Sequence, residues 1–254
     1  MLIIGSVSGF SICGATGSGK RNVEGKEVVV SLWLYSCLFF QRILLQTNKY
    51  PWIVSLMSLG GPFCGGILVA SQYVITAAHC MYFGENLLHP LNIAHLRVKI
   101  GDYDLTASGE TTIPEKIVSV SKISNHESYD PERKVNDIAV LKLAEEVDLN
   151  VYTPACLATN EDESTFYGET VHVYGWGATS WKGPSSNKLI EVDVPVVTPT
   201  KCSISMGPMD EGKICAEETC NGDSGGPLTY ESSGQHVLAG VVSYGNSCAK
   251  VKLL

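Results

Sequence analysis

The sequence predicts an all-β protein on three observations. Helical periodicity is scarce across its 254 residues, short runs of β-branched and aromatic residues recur, and turn residues separate them. The first run, Trp52-Ile53-Val54-Ser55-Leu56, follows Pro51 and holds two β-branched residues in sequence. Leu96-Arg97-Val98-Lys99-Ile100 ends at Gly101, and Ile117-Val118-Ser119-Val120 is almost wholly β-branched. Asp137-Ile138-Ala139-Val140-Leu141-Lys142-Leu143 reads as an apolar strand with an aspartate at its mouth. Val171-His172-Val173-Tyr174 runs into Gly175, and Val237-Leu238-Ala239-Gly240-Val241-Val242 closes the series.

Bulk composition bounds the function. A chain 44% hydrophobic can bury a real core, as one large all-β domain or two small ones. Its formal net charge of −8 excludes a nucleic-acid binder, because no basic stripe is present to displace phosphate counterions. There is no internal repeat, low-complexity tract, metal-ligand spacing of Cys and His, phosphate-cradling loop or Asn-x-Ser/Thr acceptor. Nine cysteines point to an oxidising compartment, and the odd number leaves one over.

Two segments carry chemistry. Gly222-Asp223-Ser224-Gly225-Gly226-Pro227 sets a serine among glycines, and Thr76-Ala77-Ala78-His79-Cys80 sets a histidine between small residues and a cysteine. A serine hydroxyl is a poor nucleophile until an imidazole takes its proton, and that imidazole needs a carboxylate to fix its tautomer. Asp137 is the candidate, since a buried aspartate is costly unless something donates hydrogen bonds to it. His89, His95, His126, His172 and His236 sit in no comparable setting and read as surface or core histidines.

These three segments, in the order His, Asp, Ser, resemble the trypsin/chymotrypsin family of serine proteases. The likeness runs from Tyr50-Pro51-Trp52 to Cys248-Ala249 and includes Tyr174-Gly175-Trp176-Gly177 and Ser243-Tyr244-Gly245. It implies two packed antiparallel six-stranded β-barrels with the triad in the cleft between them, His79 and Asp137 from the first and Ser224 from the second. Ser224 would attack the scissile carbonyl, His79 would take and return the proton, and Asp137 would hold the imidazole. The N–H groups of Gly222 and Ser224 would face the oxyanion, and a glycine at 222 lets that peptide turn inward where a Cβ would resist. The family pattern pairs Cys64 with Cys80, Cys202 with Cys215, Cys220 with Cys248 and Cys13 with Cys156, leaving Cys37. A zinc site at Cys80 and Cys220 is the bland alternative, and it lacks the two-plus-two ligand clusters zinc favours.

The resemblance also implies a zymogen, in which cleavage frees an ammonium that inserts beside Asp223. The candidate cut follows Arg21 and gives Asn22-Val23-Glu24-Gly25, which departs from the family's apolar Ile-Val-Gly-Gly start. The residue six before the nucleophile forms the floor of the primary pocket and is Glu218 by a gapless count. Two readings of it stand: a carboxylate selecting Arg or Lys before the cut, or a solvated acidic turn with altered or absent selectivity, since only four residues separate Cys215 from Cys220. Ser243, Tyr244 and Gly245 resemble the strand that pairs with the substrate backbone, Tyr244 standing where Trp is more usual.

Three stretches divide the chain: 1–21 a propeptide-like segment, 22–49 an activation end interrupted by an apolar run, and 50–254 the protease domain. The run, residues 28–46, reaches the lower length for a membrane span. A bilayer there would separate Arg21 and Cys13 from the protease domain, so the run reads as an aberrant insertion rather than an anchor. The chain ends at Leu254, where family members continue through a further strand and a helix, so the second barrel is expected to be incomplete. Residues 1–12 lack the basic opening of a signal peptide, and secretion is inferred from the cysteines and the family. The reading is a secreted, monomeric, trypsin-like serine endopeptidase without metal or cofactor, acting on polypeptides and meeting an activating protease and protein inhibitors. Its rival is a catalytically inactive homologue that works by binding.

Overall fold

In the computed structural model, residues 43–44, 47–83, 89–158, 163–178, 183–207, 210, 212–216 and 223–244 are described. They form strands β1 (Ile43–Leu44), β2 (Ile53–Ser58), β3 (Gly61–Ala70), β4 (Tyr73–Thr76), β5 (Tyr82–Phe83), β6 (His89–Pro90), β7 (Leu96–Ile100) and β8 (Lys116–Asn125). There follow β9 (Ala139–Leu143), β10 (Cys156–Leu157), β11 (Thr170–Gly175), β12 (Ile190–Val197), β13 (Cys215–Ala216), β14 (Pro227–Ser232) and β15 (Gln235–Val241). The α-helix α1 (Pro199–Met206) starts under a Thr198 cap with Pro199 in its first turn, where a missing N–H costs nothing.

The all-β expectation holds. Strands β2-β3-β4-β9-β8-β7 close into a six-stranded barrel. The second half is a seven-stranded curled sheet, ordered β1-β12-β11-β14-β15-β10 with β13 beside β12, which stays open among the described residues. Alternation drives both. In β9, Ala139, Leu141 and Leu143 are buried while Val140 faces out, and the inward set meets Val54, Leu56, Ile67, Val98 and Val118 in one core. In the second half, Val171, Val173, Val192, Val194, Val196 and Leu228 form a separate core.

An aromatic joint ties the halves together. Tyr50 stacks on Tyr174 with ring centroids 3.7 Å apart, and the fully buried Trp52 donates its indole N–H to the Tyr174 hydroxyl at 2.6 Å. A buried indole needs such an acceptor, and this one comes from the other sheet.

Of the apolar run 28–46, Ile43–Leu44 is described and pairs antiparallel with Ile190 and Glu191 of β12. No helix among the described residues is long and apolar enough to cross a membrane. Cys13, Arg21, Asn22, Cys37 and the rest of that stretch lie outside the described residues.

Candidate active site

Strand β4 delivers His79. It ends in the fully buried Thr76, whose hydroxyl donates to the Gly65 carbonyl at 2.8 Å, and a 3-10 turn, Ala78–Met81, follows at once. Ala78, Cys80 and Met81 are buried, which anchors the turn, while the His79 side chain stays partly exposed. A disulfide from Cys80 to Cys64 fastens it to β3. Ala77, which opens the turn, supplies no side-chain cap; the His79 N–H is met instead by Asp137 Oδ1 at 2.8 Å.

Asp137 stands two residues before β9, and its side chain is 3% exposed against 14% for His79. Its Oδ2 accepts from His79 Nδ1 at 2.7 Å and from the Ser243 hydroxyl. Burial on its own would raise this carboxyl. The His79 ring bond and charge, the Ser243 hydroxyl and the His79 amide outweigh burial and hold it below its ordinary value. With the Nδ1 proton committed to Asp137, the other imidazole nitrogen is the one with a lone pair to offer. Its near neighbour at 3.7 Å, Cys80 Sγ, is a disulfide sulfur with no proton to compete.

Ser224 lies in the turn before β14. Its carbonyl accepts from Gly65 N–H at 2.8 Å, while Gly225 N–H donates to Val242 and Val242 N–H donates back to Gly226. The turn is thereby pinned to β3 on one side and, on the other, to the residue just before Ser243. Ser224 and Ser243 are thus held by the same short segment, and Ser243 holds Asp137. Among the described residues no hydrogen bond joins Ser224 to His79.

Asp223 is buried at 1% exposure and its Oδ1 accepts from Gly177 N–H at 3.1 Å. A Cβ on Gly175 would sit 2.7 Å from that oxygen and one on Gly177 2.5 Å, which explains the glycines flanking Trp176. Together with Ser55, Gly65 and Trp176, Asp223 borders a cavity of about 80 Å³. Tyr244 is 41% exposed, with its hydroxyl accepting from Lys213. Gly222, Glu218, Gly245, Cys220 and Cys248 lie outside the described residues. The disulfides Cys64–Cys80 and Cys202–Cys215 match the family pattern, and Cys156 is disulfide-bonded.

Among the described residues, three groups of potential metal ligands converge within 4.8 Å, and each is already engaged. Cys64 and Cys80 beside His79 are tied in a disulfide and have no thiolate to offer. Lys99 places its ammonium 2.8 Å from Asp102 and 3.1 Å from Glu115, the second group with Glu110. Glu191, grouped with His172 and Asp193, accepts from Lys49 and from Tyr50, both at 2.6 Å.

Sequence reasoning missed Gly65 and Thr76, which bring the histidine loop and the serine turn together. The available signal was the Gly65-Gly66 pair after Cys64: a Cβ on Gly65 would lie 3.0 Å from Gly226 Cα, an approach tighter than most side chains make and one that favours glycine.

A family model described as Trypsin matches residues 45–253. Over 252 residues the chain is 34% identical to the venom serine protease Bi-VSP of Bombus ignitus, covering 93% of this chain and 65% of that protein. It is 32% identical to the CLIP domain-containing serine protease HP8 of Bombyx mori, covering 94% of this chain and 70% of the relative. Against mannan-binding lectin serine protease 1 of Homo sapiens the identity is 30%, over 96% of this chain and 38% of the human protein.

Proposed function

Because this chain belongs to the trypsin family of serine-type endopeptidases, we propose that it hydrolyses peptide bonds through Ser224, His79 and Asp137. Ser224 Oγ bonds to the scissile carbonyl carbon while its proton passes to the free nitrogen of His79. The C–N bond then breaks, the same proton leaves with the amine, and water repeats the sequence to release the acid. Asp137 stabilises the imidazolium without itself being protonated. The backbone N–H groups of Gly222 and Ser224 receive the oxyanion, where one donor is worth about 100- to 1000-fold in rate.

The observation that carries this reading is the Asp137 carboxylate, buried and held charged by His79 on one side and Ser243 on the other. A structural aspartate has no need of a partly exposed imidazole whose second nitrogen keeps its lone pair. Support for a zymogen is the buried Asp223 beside its 80 Å³ cavity. On this reading a cut after Arg21 frees the Asn22 amine to pair with Asp223, and Glu218 then selects Arg or Lys before the cleaved bond. The protein is proposed to be secreted, monomeric and active on polypeptides, under an activating protease and protein inhibitors. The segments 1–21, 22–49 and 50–254 are proposed as propeptide, activation end and protease domain.

A fluorophosphonate probe tests the reading, applied before and after limited proteolysis at Arg21. Ser224 should be labelled after cleavage and the Ser224→Ala chain should not. An intact, correctly cleaved chain that takes no label sinks the endopeptidase reading in favour of a binding role.

A further inference from the structure

We propose that Lys134, poised over the exposed ring of Tyr244, is a specificity-determining residue that selects peptides carrying an acidic side chain close to the scissile bond. This rests on the endopeptidase reading and names the substrate class of that same site.

Tyr244 is the residue after Ser243, whose hydroxyl is bonded to Asp137. One residue of extended chain is about 3.3 Å, so whatever stands on this ring stands beside the reacting centre. Two ammonium groups do: Lys134 Nζ lies 5.2 Å from the ring centroid and Lys213 Nζ 5.3 Å. Their situations differ. Lys213 gives its protons to Asp210 at 2.9 Å, the Arg133 carbonyl at 3.1 Å and the Tyr244 hydroxyl at 3.2 Å, so all three donors are committed. Asp210 is shared between Lys213 and the Arg133 guanidinium. Lys134 has no carboxylate partner among the described residues, and the Tyr244 face is its contact.

Among the described residues, the nearby acids do not neutralise it. Asp137 is taken by His79 and Ser243, and Asp130 is turned into its own loop, where Oδ1 accepts from Glu132 and Arg133 N–H groups. That loop also fixes the lysine. Asp130 N–H donates to the Val135 carbonyl at 3.0 Å, and Lys134 between them is held at φ 49°, a left-handed backbone uncommon for a lysine. A lysine that is half-buried, braced by backbone, laid on an aromatic face and without a carboxylate partner among the described residues is a site for an anion. The chain's net charge of −8 repels acidic peptides at long range, so the attraction must be local and sensitive to salt.

The test is kcat/KM of the cleaved full chain on peptides that differ only in carrying Asp or Lys at each position within about four residues of the cut, a span set by the extended-chain rise. One position should favour Asp over Lys by roughly 5-fold or more at low salt, and the preference should fade in about 1 M salt, where the screening length is ~3 Å. Lys134→Asn removes the cation while suiting a left-handed backbone, and should bring the ratio to about 1; Lys134→Glu should invert it. Probe labelling of Ser224 is read in every sample. Labelled enzyme with no Asp preference, or with a preference that survives Lys134→Asn, overturns the subsite alone. Absence of both labelling and cleavage overturns the endopeptidase reading and the subsite with it.

Discussion

Asp137 illustrates how one side chain can be both buried and charged. Desolvation of a carboxylate costs several kcal/mol and is tolerated only against donors with good geometry; here three are supplied, two by the amide and ring of His79 and one by Ser243. Replacing the acid by its amide should therefore leave the shape and change the chemistry. Asp137→Asn is expected to lower kcat on a peptide ester by about 10,000-fold, because the imidazole loses the partner that fixes its tautomer, with a thermal midpoint little changed. Ser243→Ala removes one donor of three and should cost only about 2- to 10-fold in kcat/KM. Equal losses from both variants would show that Asp137 does not act through the imidazole. Asp137 was legible in the sequence because an aspartate heading an apolar strand demands an explanation. The Ser243 bond was not: a hydroxyl gives no hint of its partner when the chain brings that partner from 106 residues away.

Strand β12 marks the limit of reading elements from residues. It is the hub of the second sheet, pairing with β1, β11 and β13, yet its sequence carries Glu191, Asp193 and Pro195, residues that argue against a central strand. Tertiary context overrides each. Pro195 falls opposite Thr170 at the end of β11, and Glu191 is buried against partners that only the fold collects: Lys49, Tyr50 and His172. Burial would raise the Glu191 carboxyl, but the bonds from His172, Lys49 and Tyr50 prevail and bring it from 4.5 to about 2. The bond from Glu191, joined by Asp193, raises His172 against burial. The signs set a pH window. A depressed carboxyl stabilises the fold above its unfolded value of 4.5 and loses that contribution as pH falls toward 2. A raised histidine contributes fully below 6.5 and loses its part as pH climbs through its folded value. The network is therefore strongest between 4.5 and 6.5. Glu191→Gln should cost on the order of 3 kcal/mol at pH 6, the free energy matching the drop from 4.5 to about 2, and much less near pH 3. Urea unfolding across that range checks it; a loss independent of pH would assign Glu191 a packing role only.

The two halves of the molecule meet where Ser224 is held, and glycine is what lets them meet. The glycine-rich turn around the serine was legible as a tight turn, but the wall it turns against was not, since Gly65 and Thr76 come from the other barrel. Gly225 sits at φ 77°, and a Cβ there would run into the Thr76 hydroxyl and, at 2.5 Å, the Gly65 carbonyl oxygen. Gly234, in the hairpin between β14 and β15, has the same φ of 77° with nothing within 4 Å of a Cβ. The pair separates backbone strain from the seam. Gly234→Ala should cost about 1 kcal/mol, the penalty of a left-handed alanine, and leave probe labelling of Ser224 unchanged. Gly225→Ala carries the same penalty plus a collision with backbone that cannot yield, about 3 kcal/mol or more in total, and should slow labelling steeply because the displaced turn carries the proposed nucleophile. Unfolding midpoints and labelling rates of the two variants decide the matter. If Gly225→Ala behaves like Gly234→Ala in both, the barrels do not close on the serine turn, and the seam cannot be what brings a hydroxyl from one half to an imidazole on the other.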